Sequence, residues 1–153
     1  MNHNSYNDKN SYKNKIRMSF LLRFDGGANP NPGPCAGAYV IYKDNEVIAE
    51  GGDYIEKGTN NIGEYTGLIR GLERCYKLGI TNLKVEGDSL LVISQVTGKW
   101  KINQEHLRHL CNEAKSLIQF FASVKLDHIR REYNSHADRL SDNTLEKKSK
   151  WEV

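Results

Sequence analysis

Phe20-Leu21-Leu22-Arg23-Phe24-Asp25-Gly26-Gly27-Ala28-Asn29-Pro30-Asn31-Pro32-Gly33-Pro34 is the stretch from which the rest of the chain can be read. Its apolar start reads as a buried strand, expected over 18–25, and Asp25 leads from it into a glycine-rich turn. A carboxylate held rigidly at a strand end sits where ligand sites form. The glycines beside it let another backbone come close. Residues 36–43 (Ala-Gly-Ala-Tyr-Val-Ile-Tyr-Lys) read as a second strand, Asp44-Asn45 as a turn and 46–56 as a third strand. Links this short make the three an antiparallel meander.

Downstream, the period changes. Ile62, Tyr65, Leu68, Ile69, Leu72 and Tyr76 recur at helical spacing, which predicts a helix over 62–78 with Gly79 as its C-terminal stop. A strand is expected over 82–87, a short apolar helix over 89–97, and a longer helix over 103–122. A strand at 124–130 and a helix from Ser135 to about Lys148 complete the pattern. Three strands followed by alternating strands and helices give an α/β domain, a five-stranded mixed sheet with helices on its faces.

Four acids stand in settings that can be fixed, and each has a plain structural reading beside the chemical one. Asp25 can be a turn residue before Gly-Gly. Glu64 can close a capping box on Asn61. Gly67 and Gly71, three and seven residues on, share its helix face. Glycines inside a helix each cost roughly 1 kcal/mol against alanine, which makes sense where that face packs closely on a sheet. Asp88 can cap the following helix, or be an acid presented past the carboxyl end of a strand. Asp138 can close a second capping box from Ser135. Together they are harder to dismiss, since strand ends and helix starts converge on one edge of such a sheet. Gathered carboxylates repel one another, and divalent cations remove that penalty. Oxygen donors without a His/Cys cluster favour Mg²⁺ or Mn²⁺ over zinc. Two such ions about 3.5–4 Å apart clamp the oxygens of a phosphodiester.

Composition narrows the class. The 153 residues suffice for one domain with a core. No apolar run approaches the roughly 20 residues that a membrane span needs, and residues 1–17 lack the apolar centre of a signal peptide. The three cysteines, Cys35, Cys75 and Cys111, are widely spaced and odd in number. They argue against a disulfide framework and for core packing in a reducing, cytoplasmic setting. The net charge of +3 is carried by residues 1–17, with Lys9, Lys13, Lys15 and Arg17 against Asp8; the remaining 18 basic and 18 acidic side chains balance. Residues 1–17 read as a disordered basic tail.

With these residues in order, the sequence resembles the ribonuclease H type 1 family over roughly residues 18–148. The signatures are Asp25-Gly26-Gly27 with Asn31-Pro32-Gly33-Pro34, Thr59-Asn60-Asn61 through Glu64, Gly87-Asp88-Ser89, and Asn134 with Ala137-Asp138. The resemblance implies the family's fold, with sheet order 3-2-1-4-5, for a domain over 18–150. It implies hydrolysis of the RNA strand of RNA–DNA hybrids, leaving 5′-phosphate and 3′-hydroxyl ends, by a monomer with no membrane partner. It also implies that Asp25, Glu64, Asp88 and Asp138 ligate two Mg²⁺ or Mn²⁺ ions. Asn31, Asn60 and Asn61 would contact the hybrid's minor groove, and Thr59 a DNA-strand phosphate. Thr97-Gly98-Lys99-Trp100-Lys101-Ile102 replaces the basic protrusion of many relatives, which places the chain in the compact branch, with Trp100 a core or hinge residue. Relatives carry an auxiliary histidine before the last aspartate. A gapless match gives that role to His128, ten residues before Asp138; anchoring on the strand, which we prefer, puts His128 within the strand and leaves Arg130, Arg131 or no residue in the role. His136 reads as a helix-start residue.

Overall fold

A computed structural model describes residues 19–153, so the reading of 1–17 as a tail lies outside the described residues. Strand β1 (Phe20–Ala28) is central: it pairs antiparallel with β2 (Gly33–Lys43) and parallel with β4 (Asn82–Gly87). β3 (Glu46–Gly58) extends the meander, and β5 (Ser123–His128) lies parallel to β4. The hairpin between β2 and β3 turns on Asp44 and Asn45, both at positive φ (50° and 70°), the two-residue turn whose twist suits paired strands.

The expected five strands are present, and a short sixth, β6 (Trp151–Glu152), adds to the free edge of β3. The order is therefore β5-β4-β1-β2-β3-β6. Two residues carry no period, so no sequence pattern announces β6. Trp151 is placed by its indole, which donates to Thr144 Oγ1 at 2.8 Å.

Helix α1 (Asn60–Lys77) packs on β1 and β2, backed by α3 (Glu105–Ile118) with α2 (Leu90–Val96) beside it. Helix α4 (Ser135–Lys147) covers β1–β3 from the other face. The core lies under α1 and α3, where Leu22, Phe24, Tyr65, Leu68, Leu72, Val85 and Val92 are fully buried. Cys35, Cys75 and Cys111 are buried and free, as core packing requires. Tyr76, placed on the α1 stripe by periodicity, is exposed instead and meets the likewise exposed Phe120 ring at the surface. Trp100 is 47 % exposed, which corrects its reading as a core residue: its short connection passes over the surface rather than through it. No further element interrupts residues 97–104 between α2 and α3. None of the described helices is long and apolar enough to cross a membrane.

Candidate active site

Asp25 is not at the end of its strand. β1 continues through Gly26, Gly27 and Ala28, and Asp25 pairs with Ala38 in mid-ladder. The turn begins only at Asn29. Gly-Gly reads as a turn by propensity, but here the glycines remain extended because α1 crosses them. A Cβ on Gly26 would lie 2.1 Å from the Gly63 carbonyl carbon, and one on Gly67 would lie 2.5 Å from the Asp25 carbonyl oxygen. Bare backbone on both sides lets the first turns of α1 rest directly on β1, which carries Glu64 up to Asp25.

The capping alternatives are taken by other side chains. Thr59 caps α1, its hydroxyl accepting from Ile62 N at 3.3 Å, so no capping box ties up Glu64. Ser89 caps α2, accepting from Val92 N at 3.2 Å, and Asp88 is left free. Asn134 stands at the N-terminus of α4, and Ser135 already lies inside the helix, which removes the box proposed for Asp138. Asn134 is wholly buried and its Nδ2 donates to the Phe24 carbonyl at 2.9 Å, tying the start of α4 to β1 one residue before Asp25.

One carboxylate oxygen from each of Asp25, Glu64 and Asp88 lies within 4.8 Å of the other two. Asp138 joins them in lining an open cavity of about 390 Å³, together with Arg131, Asn60 and Asp142. Asp25 is only 5 % exposed. Burial, a hydrogen bond to Asp138 and the charge of Asp88 push its carboxyl up to about 8. Burial first, then the charges of Asp25 and Asp88, hold Glu64 well above the ordinary carboxylate range. Asp88 is raised by burial, against hydrogen bonds with Asp25 and Asn134 and the Arg131 charge that favour its ionised form. Glu64 Oε2 is shut off from solvent and has no hydrogen-bond partner. A buried carboxylate oxygen without a partner costs more than an ordinary unpaired polar atom. The donor set is all oxygen, so Mg²⁺ or Mn²⁺ fits it and a thiolate- or imidazole-seeking metal does not.

Of the residues proposed to contact substrate, Asn31 and Asn60 are brought together on the rim. Asn31 Oδ1 accepts from Asn60 N at 3.0 Å, and Asn60 Oδ1 accepts from Ala28 N at 2.7 Å. Asn61 lines a separate shallow groove with Trp100 and Gln104, and Thr59 is occupied as a cap. His128 is the last residue of β5, where its Nε2 lies 3.3 Å from the Asp88 carbonyl oxygen. It does not line the cavity, whereas Arg131, in a 3₁₀ turn (Arg131–Tyr133), does. Replacing His128 with Ala is therefore expected to change kcat by less than about twofold, against the 10²-fold or more typical of a general acid or base; steady-state rates at saturating substrate decide it. Asp142 was missed by the sequence reading. It lies one helical turn beyond Asp138, and that four-residue spacing on one helix face is the signal that could have found it.

A "Reverse transcriptase-like" family model matches residues 23–144. Ribonuclease HI of Halobacterium salinarum is 39% identical over 124 residues, covering 80% of this chain and 62% of that protein. The crystal structure of RNase H1 from that archaeon superposes with a TM-score of 0.81 at 37% identity, over 84% of this chain and 98% of that one.

The chain belongs to the type 1 ribonuclease H family.

A second solved member, LC11-RNase H1 in complex with an RNA/DNA hybrid, superposes with a TM-score of 0.79 at 30% identity, over 84% of this chain and 98% of that one. The Mycobacterium tuberculosis bifunctional protein Rv2228c is 38% identical over 131 residues, 84% of this chain. The chain spans 62% of the halobacterial ribonuclease H and 36% of Rv2228c, less than two thirds of either curated relative.

Proposed function

We propose that this chain hydrolyses the RNA strand of RNA–DNA hybrids endonucleolytically, leaving 5′-phosphate and 3′-hydroxyl ends, with two Mg²⁺ or Mn²⁺ ions. The observation that carries this reading is the convergence of carboxylate oxygens of Asp25, Glu64 and Asp88 to within 4.8 Å of one another, in residues that line an open cavity. Membership of a family with a member solved on such a hybrid supports the choice of substrate.

Asp25, Glu64 and Asp88 would hold the ions, with Asp138 completing the set from the cavity wall. Bound there, a pair of divalent cations supplies an activated water at neutral pH and neutralises charge at the scissile phosphate. The chain's own residues would do the rest. Asn60, its Oδ1 held by the Ala28 N–H, keeps its amide nitrogen as the donor for a substrate oxygen. Asn31 and Asn61 would extend that contact along a minor groove whose 2′-hydroxyls both donate and accept. Thr59 would meet a phosphate of the DNA strand. Among the described residues, Arg131 supplies the one positive charge lining the cavity, and it is the auxiliary candidate favoured over His128. The chain would act as a cytoplasmic monomer.

Cleavage of an end-labelled hybrid, beside single-stranded RNA, duplex RNA and duplex DNA, tests this directly. RNA should be cut in the hybrid alone, with Mg²⁺ or Mn²⁺, and EDTA should abolish cutting. Equal cutting of duplex DNA would point to a different nuclease of the same fold. Tight hybrid binding with no cutting in either metal would make the chain an idle binding module.

A further inference from the structure

The sheet face that carries α4 is crossed by a row of polar side chains outside the cavity. On β3, Glu50 Oε2 lies 2.5 Å from His136 Nε2. His136 Nδ1 lies 3.4 Å from the Tyr42 hydroxyl on β2, and the two rings meet edge-on. With Nε2 protonated and donating to Glu50, Nδ1 is free to accept the Tyr42 hydroxyl. The Arg23 guanidinium lies 5.7 Å from the centroid of the same Tyr42 ring, and Arg23 Nε donates to Glu86 Oε1 on β4 at 3.0 Å. The row ends near the acids at two points. His136 is two residues before Asp138, and Glu86 is two residues before Asp88.

Helix α4 has no large, fully buried side chain to fix its register, and Leu140 and Leu145 are only partly buried. The side chains it buries are Ala137, Ser141 and Thr144, which are small and present a smooth surface to the sheet. Smooth contacts resist separation but specify sliding and rotation weakly. Its first turn has no side-chain cap. Asn134 ties that end to the Phe24 carbonyl and to Asp88, and Asp138 itself bonds to Asp25; His136, through Glu50, is the tie that lies outside the acid cluster. The Glu50–His136 pair is about three-quarters shielded from solvent, so it holds its geometry better than an open surface pair.

We infer that His136 is a positioning residue. Its bridge between Glu50 and Tyr42 sets the register of the first turn of α4 and so places Asp138 against the Asp25–Glu64–Asp88 cluster. The inference rests on the metal-dependent reading above, and Mn²⁺ uptake by the free protein separates the two.

The experiment measures Mn²⁺ affinity by titration calorimetry without substrate, hybrid cleavage, and melting temperature. The variants are His136→Ala, Glu50→Ala, Glu50→Gln and Tyr42→Phe. Arg74→Gln serves as a control: it breaks a comparable contact to Glu152 and the Tyr39 hydroxyl, through an α1 side chain away from α4. Loss of the bridge in His136→Ala or Glu50→Ala should weaken Mn²⁺ binding about tenfold, the low end for groups that orient metal ligands, and lower kcat at unchanged KM for the hybrid. Glu50→Gln keeps an acceptor for Nε2–H and should restore most of both. Arg74→Gln should lower the melting temperature and leave Mn²⁺ affinity unchanged. An unaltered Mn²⁺ affinity in His136→Ala, with melting lowered as in the control, would overturn the inference. If His136→Ala does not fold, Tyr42→Phe decides it, since only a hydroxyl is lost and a weakened Mn²⁺ affinity is still expected. Wild-type protein that binds Mn²⁺ but cuts no hybrid would overturn the proposed function and leave this inference to the affinities. Wild-type protein that takes up no Mn²⁺ overturns both.

Discussion

Asp25→Asn should abolish hybrid cleavage, by about 10³-fold or more, and at the same time raise the melting temperature of the metal-free protein at pH 8. The activity loss follows from the position of the carboxylate. Asp25 is central to the cluster, and losing roughly 4 kcal/mol of metal-derived stabilisation corresponds to that factor. The gain in stability follows from its ionisation. An unfolded aspartate ionises near 3.8, whereas burial, Asp138 and Asp88 hold this one to about 8 in the folded chain. Folding therefore takes up a proton between those values. The contribution of the protonated form is complete below about pH 3.8, declines as pH rises, and is gone above about 8. Asparagine carries no charge at any of these pH values and can still donate to Asp138. The variant should thus melt close to wild type at pH 4 and several degrees higher at pH 8. Saturating Mg²⁺ or Mn²⁺ should shrink the difference, because bound cations stabilise only the ionised wild-type cluster. Thermal melts at the two pH values, with and without metal, check the claim; equal melting at both pH values without metal would refute it.

Gly26→Ala carries the second large effect, this time on the fold. Its Cβ would come within 2.1 Å of Gly63 C, 2.2 Å of Gly63 O and 2.4 Å of Glu64 N. All three are backbone atoms, so no side chain can rotate away. Relief requires α1 to lift from β1, and that movement withdraws Glu64 from Asp25. A loss of roughly 3 kcal/mol or more is expected, at the upper end for overpacking. The neighbouring residue is the control. A Cβ on Gly27 would meet only Asn60 Oδ1, at 3.7 Å, an ordinary contact. Gly27→Ala should therefore fall within about 1 kcal/mol of wild type, since alanine also restricts the unfolded chain. Urea unfolding of the two variants distinguishes them, and equal stabilities would show that α1 does not rest on β1 as described.

The same two glycines show how far the sequence could be read. The spacing of Gly67 and Gly71 after Glu64 was enough to predict a helix face pressed against the sheet, and that face is there. The element types were legible because their periods are long: α1 runs for 18 residues, and β4 falls at the residues expected of it. Gly26-Gly27 was read as a turn because propensity describes a glycine by its freedom. The structure uses these residues for their lack of a side chain, and that need arises only once α1 is laid across them. The capping alternatives at Glu64 and Asp88 could not be resolved locally either. Thr59 and Ser89 are as competent as Asn61 and Asp88 to cap, and the choice depends on how the helix ends meet the sheet.

By itself, the sequence determined the classes of the five main strands and the helices, their order and the family, because these depend on period, residue type and spacing along the chain. Tertiary structure alone decided that Asp25 stands in mid-strand, that Asp142 and Arg131 share its cavity, that Glu50 reaches His136, and that Trp151 adds a sixth strand. Each of these joins residues far apart in the chain or on different elements, and no local pattern records a distance between surfaces that meet only on folding.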